Sequence, residues 1–234
     1  FKSMIRNITF LFIFYFGLIF FLILFLPSLM FSNYFVTTGG KVLGFWTAFC
    51  LKYLMSTKIE VKGTENIKNN HKYFVVSSHQ SIFETFFLQT IFNNSVFILK
   101  KELIKIPVFG WYLKKLGCIS IDRDKISREN LNFSEEVGKV IKKTDKTLII
   151  FPQGTRKTSD DRSKFKKGFS RIYSDLKIAC LPVAINSGKV WPKKGSLIPN
   201  QTITVSILDI LPPGMTQDKF ANDVEHIIYK ELEK

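Results

Sequence analysis

Between Ile8 and Phe31 the chain carries no charged residue and is dominated by Phe, Leu and Ile. Such a run must be covered, by protein or by lipid, because the free energy of leaving it in water is prohibitive. As a single helix it would extend roughly 36 Å, enough to cross a hydrocarbon core of about 30 Å, with Pro27 placed to shorten or kink it. No small-x-small cleavage site follows Phe31, which predicts a retained anchor rather than a cleaved leader. Lys2 and Arg6 precede the run and Lys41 follows it, so positive charge marks no orientation, and spanning the bilayer or dipping into one leaflet both stay open. A second apolar stretch, Val42 to Met55, holds Phe45, Trp46, Phe49, Leu51, Tyr53 and Leu54. It reads equally as an interfacial helix along lipid headgroups or as a buried helix of the globular part. Gly39-Gly40 predicts the turn of a helical hairpin between the two stretches. Residues 1–56 are therefore assigned as membrane-anchoring helices.

The remaining residues, 57–234, are enough for one domain with its own core. Apolar, β-branched runs at Tyr73–Ser77, Ser95–Leu99, Cys118–Ile121, Thr147–Phe151, Ala179–Ile185 and Thr202–Ile210 predict strands. Helical patterns fall at Thr85–Ile91, Ile104–Leu116, Ser127–Lys143, Lys167–Leu176 and Thr216–Leu232. The alternation predicts an α/β fold, a mixed but largely parallel sheet flanked by helices, behind the N-terminal membrane-associated helices. Sheets of this kind carry their sites beyond the strand ends, where His79, Arg123, Gln153, Gly154 and Asn186 all fall. The polar stretch Thr158–Lys167 is expected to be a mobile loop.

Charge narrows the partners. Lys and Arg number 34 against 19 acidic residues, a formal charge of +15, which predicts attraction to phosphates or to an anionic membrane surface. Zinc-finger spacing and an RNP-like aromatic signature are both missing, so nucleic acid is not expected as a partner. Three well-separated cysteines, Cys50, Cys118 and Cys180, argue against a disulfide framework and fit a reducing compartment. With histidines only at 71, 79 and 226 and no His-x-x-x-His spacing, no metal site is expected.

Directly after the strand at Tyr73, the segment Ser78-His79-Gln80-Ser81-Ile82-Phe83-Glu84 places an imidazole five residues before a carboxylate. Histidine titrates nearest neutrality and suits general-base work, and a carboxylate can hold its second nitrogen. Five residues of continuous helix would put the two on different faces, so the pair needs a turn at Gln80-Ser81 to converge. Without that turn the residues read as a strand-end histidine and an unrelated glutamate.

Four ordered segments resemble the glycerolipid acyltransferases. They are Val76 to Glu84, Lys100-Lys101-Glu102-Leu103 through Pro107 and Gly110 to Ile121-Asp122-Arg123, Phe151-Pro152-Gln153-Gly154-Thr155-Arg156, and Leu181-Pro182-Val183-Ala184-Ile185-Asn186-Ser187-Gly188. These are similar to the family's His-x4-Asp block, its Lys-containing block ending in Asp-Arg, its Phe-Pro-Glu-Gly-Thr-Arg block and its Pro-Val block. Glu84 stands where Asp is usual and Gln153 where Glu is usual. An amide oxygen still accepts hydrogen bonds but no longer pairs with a cation, so altered acceptor binding is expected from Gln153.

The resemblance implies transfer of an acyl group from a thioester to the sn-2 hydroxyl of lysophosphatidate, giving phosphatidate. In that chemistry His79 is the general base and Glu84 its orienting carboxylate. Lys100, Arg123 and Arg156 hold the phosphate, and Gln153, Gly154 and Thr155 belong to the substrate-binding turn. No cofactor is implied; acyl-coenzyme A or an acyl-carrier protein serves as co-substrate. The expected partners are the lysolipid, the thioester and membrane lipids. The expected location is a bacterial inner membrane with the catalytic domain on its cytoplasmic face. Acylation of another lysolipid, and a non-catalytic protein binding anionic lipid, are the alternatives.

Overall fold

The computed structural model describes residues 2–68, 72–121, 137–141 and 144–234. Two long helices open the chain, α1 over Lys2–Leu24 and α2 over Asn33–Met55. Strands β1 (Lys58–Lys62) and β2 (Tyr73–Ser77) follow, then α3 (Phe83–Ile91), β3 (Ser95–Lys100), α4 (Phe109–Leu116), β4 (Ile119–Ile121) and β5 (Thr147–Ile150). Helix α5 (Gly168–Leu176), β6 (Ala179–Ile185), β7 (Thr202–Ile207) and α6 (Gln217–Leu232) complete it. The strands form a seven-stranded sheet in the order β1-β7-β6-β2-β5-β3-β4. Five of them, β6, β2, β5, β3 and β4, are mutually parallel, and β7 pairs antiparallel to β6, carrying β1 beside it.

Both faces of this sheet are covered, as a parallel sheet requires. The two-residue period of a strand sorts its side chains. Val75, Ile149, Leu181, Val183 and Ile185 face one core with Phe10, Phe14, Cys50, Leu51, Met55 and Phe83. Phe74, Val76, Leu148, Ile150, Cys180 and Ala184 face the other, against Phe169, Ile172 and Tyr173 of α5 and Phe220, Val224 and Ile228 of α6. Strand β1 was not expected from the sequence. Its Lys58-Ile59-Glu60-Val61-Lys62 pattern is mostly charged because it lies at the sheet edge, where Lys58 and Lys62 both pair with Glu60 and mark the edge against further pairing.

The hairpin turn falls elsewhere than expected. Gly39 and Gly40 lie inside α2, and the reversal is made by a 3-10 turn at Leu26–Met30 with Pro27 in its first positions. Glycine is used for close packing instead. A Cβ on Gly40 would sit 2.2 Å from Oε1 of Gln89, and one on Gly44 2.6 Å from the Phe86 carbonyl oxygen, so the missing side chains let α2 come close to α3 at these two positions.

Helix α1 is long and apolar enough to cross a membrane. It is also stapled to the sheet-bearing part of the chain. Arg6 Nη2 donates to Ser56 Oγ at 2.8 Å, and its Nε to the Leu54 carbonyl at 2.5 Å. The Asn7 side chain accepts from the Leu197 N–H at 2.6 Å and donates to the Leu197 carbonyl at 3.2 Å. Phe10 and Phe14, both wholly buried, meet Trp191 edge-on at 5.1 and 5.0 Å. Phe12, Phe16, Ile19, Phe20 and Ile23 of the same helix are exposed, as are Phe45, Phe49 and Tyr53 of α2. Most of the expected helix Ser127–Lys143 lies outside the described residues. The expected helix Ile104–Leu116 is broken. A 3-10 turn covers Lys101–Lys105, and a tight turn at Pro107-Val108-Phe109, with φ +61° at Val108, starts α4.

Candidate active site

Ser77 ends β2, and the chain is then locked to the end of β6. Ser78 N donates to the Val183 carbonyl at 3.1 Å, and Ser78 Oγ accepts from Ile185 N at 2.7 Å. His79 follows immediately. A turn at Gln80-Ser81 is present, and Glu84, in the first turn of α3, folds back onto its backbone; the donors to the carboxylate among the described residues are Gln80, Ser81 and Ser187 rather than the expected second nitrogen of His79. Glu84 Oε1 accepts from the backbone N–H of Gln80 at 2.8 Å and of Ser81 at 3.0 Å, and its Oε2 from Ser81 at 3.1 Å. The carboxylate thus closes the turn that leads into α3 and sits in that helix's first turn, where the helix dipole favours negative charge. From the far side of the sheet end, Ser187 Oγ donates to Glu84 Oε1 at 2.6 Å. The carboxylate is fully buried, and that burial outweighs the hydrogen bonds and raises its pKa to about 7.

His79 is partly buried, and its ring stacks on Phe151 with 4.2 Å between centroids. Its backbone is gripped on both sides by the loop after β5. His79 N donates to Gln153 Oε1 at 2.6 Å, and the His79 carbonyl accepts from Lys157 N at 2.8 Å. Gln153 is buried, and close by the Tyr229 hydroxyl of α6 donates to the Ser163 carbonyl. Gln153 therefore acts here as an acceptor for neighbouring backbone, a use that an amide oxygen keeps.

Gly154 adopts φ +71°, and a Cβ there would meet the Lys166 side chain at 3.0 Å. The expected mobile loop, Thr158–Lys167, is tied down at several points. Phe165 N donates to Glu225 at 2.6 Å, Lys166 N donates to the Pro152 carbonyl, and the Phe165 ring is buried between Phe169 and Tyr229.

A cavity of about 340 Å³ opens beside this constellation. His79, Lys100, Thr155 and Arg156 line it from the strand-end loops, and Phe21, Leu22, Phe25 and Val36 line it from α1, α2 and the turn between them. Lys100 also faces Glu102 at 3.5 Å, and Thr155 Oγ1 accepts from Lys193 at 3.1 Å. Four of the expected site residues thus share one cavity, while Glu84 and Gln153 stand behind His79 as its supports. Arg123 lies outside the described residues. Asn186 does not join the site: its Oδ1 accepts from Thr204 N at 2.7 Å and ties β6 to β7.

Sequence reasoning missed Ser187, although it stands in the quoted Pro-Val block, and missed the cavity wall from α1 and α2. A serine one residue past Asn186 carries no signal of its own without the fold that brings β6 beside β2.

A histidine set on a turn that a buried carboxylate closes, facing a largely apolar cavity that also holds a lysine and an arginine, is equipped to move a proton beside an anionic, chain-bearing ligand. The Acyltransferase family model matches residues 58–186, and the chain belongs to that family. It is 34% identical over 153 residues to the 1-acyl-sn-glycerol-3-phosphate acyltransferase of Pseudomonas aeruginosa, a match covering 64% of this chain and 59% of that protein. The enzyme of the same name from Saccharomyces cerevisiae is 28% identical over 199 residues, covering 81% of this chain and 65% of its own. The chain thus spans roughly three fifths of the length of these relatives. The crystal structure of the 1-acyl-sn-glycerophosphate (LPA) acyltransferase PlsC from Thermotoga maritima superposes with a TM-score of 0.80 at 22% identity, over 99% of this chain and 96% of that one, and shows the same fold.

Proposed function

We propose that this protein acylates the sn-2 hydroxyl of 1-acyl-sn-glycerol 3-phosphate, using an acyl thioester and releasing phosphatidate and a free thiol. The observation that carries the reading is the single cavity joining His79 to cationic Lys100 and Arg156 on one side and to an apolar wall on the other. A lysolipid has those same two ends, a phosphate and a chain. The curated relatives are named as 1-acyl-sn-glycerol-3-phosphate acyltransferases, which supports the acceptor.

The chemistry needs no covalent enzyme intermediate, because a thioester is already activated. His79 takes the hydroxyl proton as the oxygen attacks the thioester carbonyl. The tetrahedral intermediate then collapses, the carbon–sulfur bond breaks, and the imidazolium returns the proton to the departing thiolate. Glu84 favours the imidazolium and, through the turn it caps, fixes where His79 stands. The oxyanion is assigned to backbone N–H groups of the turn that carries Gly154 and leads into Thr155 and Arg156 at the cavity. Lys100 and Arg156 hold the phosphate, with Arg123 assigned to the same task from the sequence. Arginine's planar fork offers paired donors to phosphate oxygens. The acyl chain lies along Phe21, Leu22, Phe25 and Val36, out of water.

The exposed faces of α1 and α2 support residence at a membrane, with the cavity drawing its lipids from the leaflet in which they lie. Acyl-coenzyme A or an acyl-carrier protein is the donor, and no cofactor takes part. The test is thiol release from oleoyl-coenzyme A by the purified protein in detergent with lysophosphatidate as acceptor, run beside carrier-protein donors and other lysolipids. Acceptor-dependent release that disappears in His79→Ala supports the reading. No release from wild type with any donor and acceptor pair overturns it.

A further inference from the structure

Glu84 stands one methylene further from its backbone than the aspartate usual in this block, which gives its carboxylate an additional torsion to fix. Three of the four hydrogen bonds that fix it come from the N–H groups of Gln80 and Ser81, in its own turn. The fourth comes from a residue more than a hundred positions away, the Ser187 hydroxyl at 2.6 Å. Ser187 is fully buried, and its carbonyl is bound in turn by the N–H groups of Val190 at 3.0 Å and Trp191 at 2.8 Å. The contact is doubled one residue on, where Gly188 N donates to Gln80 Oε1 at 3.1 Å. A Cβ on Gly188 would lie 2.9 Å from that oxygen, so the loop after β6 comes as near the histidine turn as a glycine allows.

We infer that Ser187 is a positioning residue for acyl transfer, holding the Glu84 carboxylate against the His79 turn from the end of β6. The inference rests on the acyl-transfer reading for its kinetic consequence, though not for the hydrogen bond itself. Two features separate this bond from ordinary packing. It is a charge-assisted bond of hydroxyl to carboxylate in a site without solvent, where such bonds are strongest. It is also the one side-chain donor to Glu84 among the described residues.

The bond has an electrostatic consequence. Burial raises the pKa of Glu84, and the hydrogen bonds from Ser187, Gln80 and Ser81 lower it, that from Ser187 the most. The other titratable group of the turn is His79. The loops after β5 and β6 bring Gln153, Lys157, Ser187 and Gly188 to the turn, Lys100, Glu102 and Arg156 share the cavity with His79, and α2 packs on α3 through Gly40 and Gly44. Removing the hydroxyl therefore leaves the carboxylate with burial less opposed, and it holds its proton to higher pH.

The experiment compares Ser187→Ala and Ser187→Thr with wild type in two ways. The first is the pH dependence of kcat and KM. Ser187→Ala is expected to lower kcat/KM at pH 7 roughly ten-fold, the scale of a lost hydrogen bond to a charged group, and to move the acidic limb up by about one pH unit. The effect should fall on kcat with KM little changed, and Ser187→Thr, which keeps a hydroxyl, should restore both. The second is an infrared titration of the Glu84 carboxyl in each protein, its band assigned by loss in Glu84→Gln, with the midpoint expected to rise in Ser187→Ala. An acidic limb and a carboxyl midpoint both at their wild-type positions in Ser187→Ala would overturn the inference. So would equal losses in the Ala and Thr variants with the limb unmoved, which is the pattern of a packing defect. If wild type shows no acyl transfer, the acyltransferase reading falls, while the infrared midpoint still decides whether Ser187 governs Glu84.

Discussion

The side-chain oxygen of Gln153 lies 2.6 Å from the backbone nitrogen of His79, so the loop after β5 holds the proposed base by its main chain. The substrate turn and the base are thereby one rigid unit. Gln153→Leu, close in size but without the oxygen, leaves a buried N–H unsatisfied and is expected to lower kcat about ten-fold. Gln153→Glu keeps an acceptor and should hold kcat within about three-fold, at some cost in stability for a buried charge beside Tyr229. Steady-state kinetics of the two variants check this, and a Leu variant with wild-type kcat would show that the contact is idle.

Activity should rise with pH through an acidic limb near 7. The Glu84 pKa is raised to about 7, so its charged form, which favours the imidazolium, is lost as pH falls below that value. His79 must also be neutral to accept a proton, and both requirements act in the same direction. The limb belongs to the pair rather than to either residue. A kcat/KM profile flat from pH 5 to pH 8 would contradict it.

Gly39 borders the cavity, and a Cβ there would stand 3.1 Å from the Phe25 ring. Gly39→Leu is expected to fill the apolar end and shift preference to shorter chains, lowering kcat/KM for a sixteen-carbon chain about ten-fold relative to a ten-carbon one, a discrimination ordinary for apolar pockets. Series of donors and of acceptors of graded length show which chain occupies it. An equal effect at every length in both series would sink the acyl-tunnel reading.

Asn7→Leu is expected to destabilise the protein by about 1–3 kcal/mol, since the buried N–H and carbonyl of Leu197 both lose their partner. Thermal unfolding in detergent measures it. Removal of residues 1–31 should be far more damaging, because it strips Phe10 and Phe14 from Trp191 and uncovers the sheet.

The core strands were legible because Tyr73–Ser77 and Ala179–Ile185 are unbroken apolar runs, which only a doubly covered strand requires. Strand β1 was not, since Lys58, Glu60 and Lys62 leave only Ile59 and Val61 as apolar positions, too few to stand out from a solvated segment. The placement of the turn at Gly39-Gly40 failed for a related reason: glycine signals either a bend or a close contact, and only the partner helix α3 decides which. At the site, His79, Glu84, Lys100, Gln153 and Arg156 were visible as chemistry-bearing residues in ordered blocks. Ser187 was invisible, as was the task Gln153 performs, because both are defined by a neighbour across the sheet and not by spacing along the chain.

The contact between Asn7 and Leu197 joins residues separated by 190 positions. At about 5–20 residues per second, a ribosome takes roughly 10 to 40 seconds to produce the second after the first. Through that interval Phe10 and Phe14 exist without Trp191, and the sheet face they will cover has not been synthesised. The opening helix must therefore wait in some other apolar company. A lipid leaflet can provide it, so the membrane proposed for the finished protein would also be the chaperone of residues 8–31.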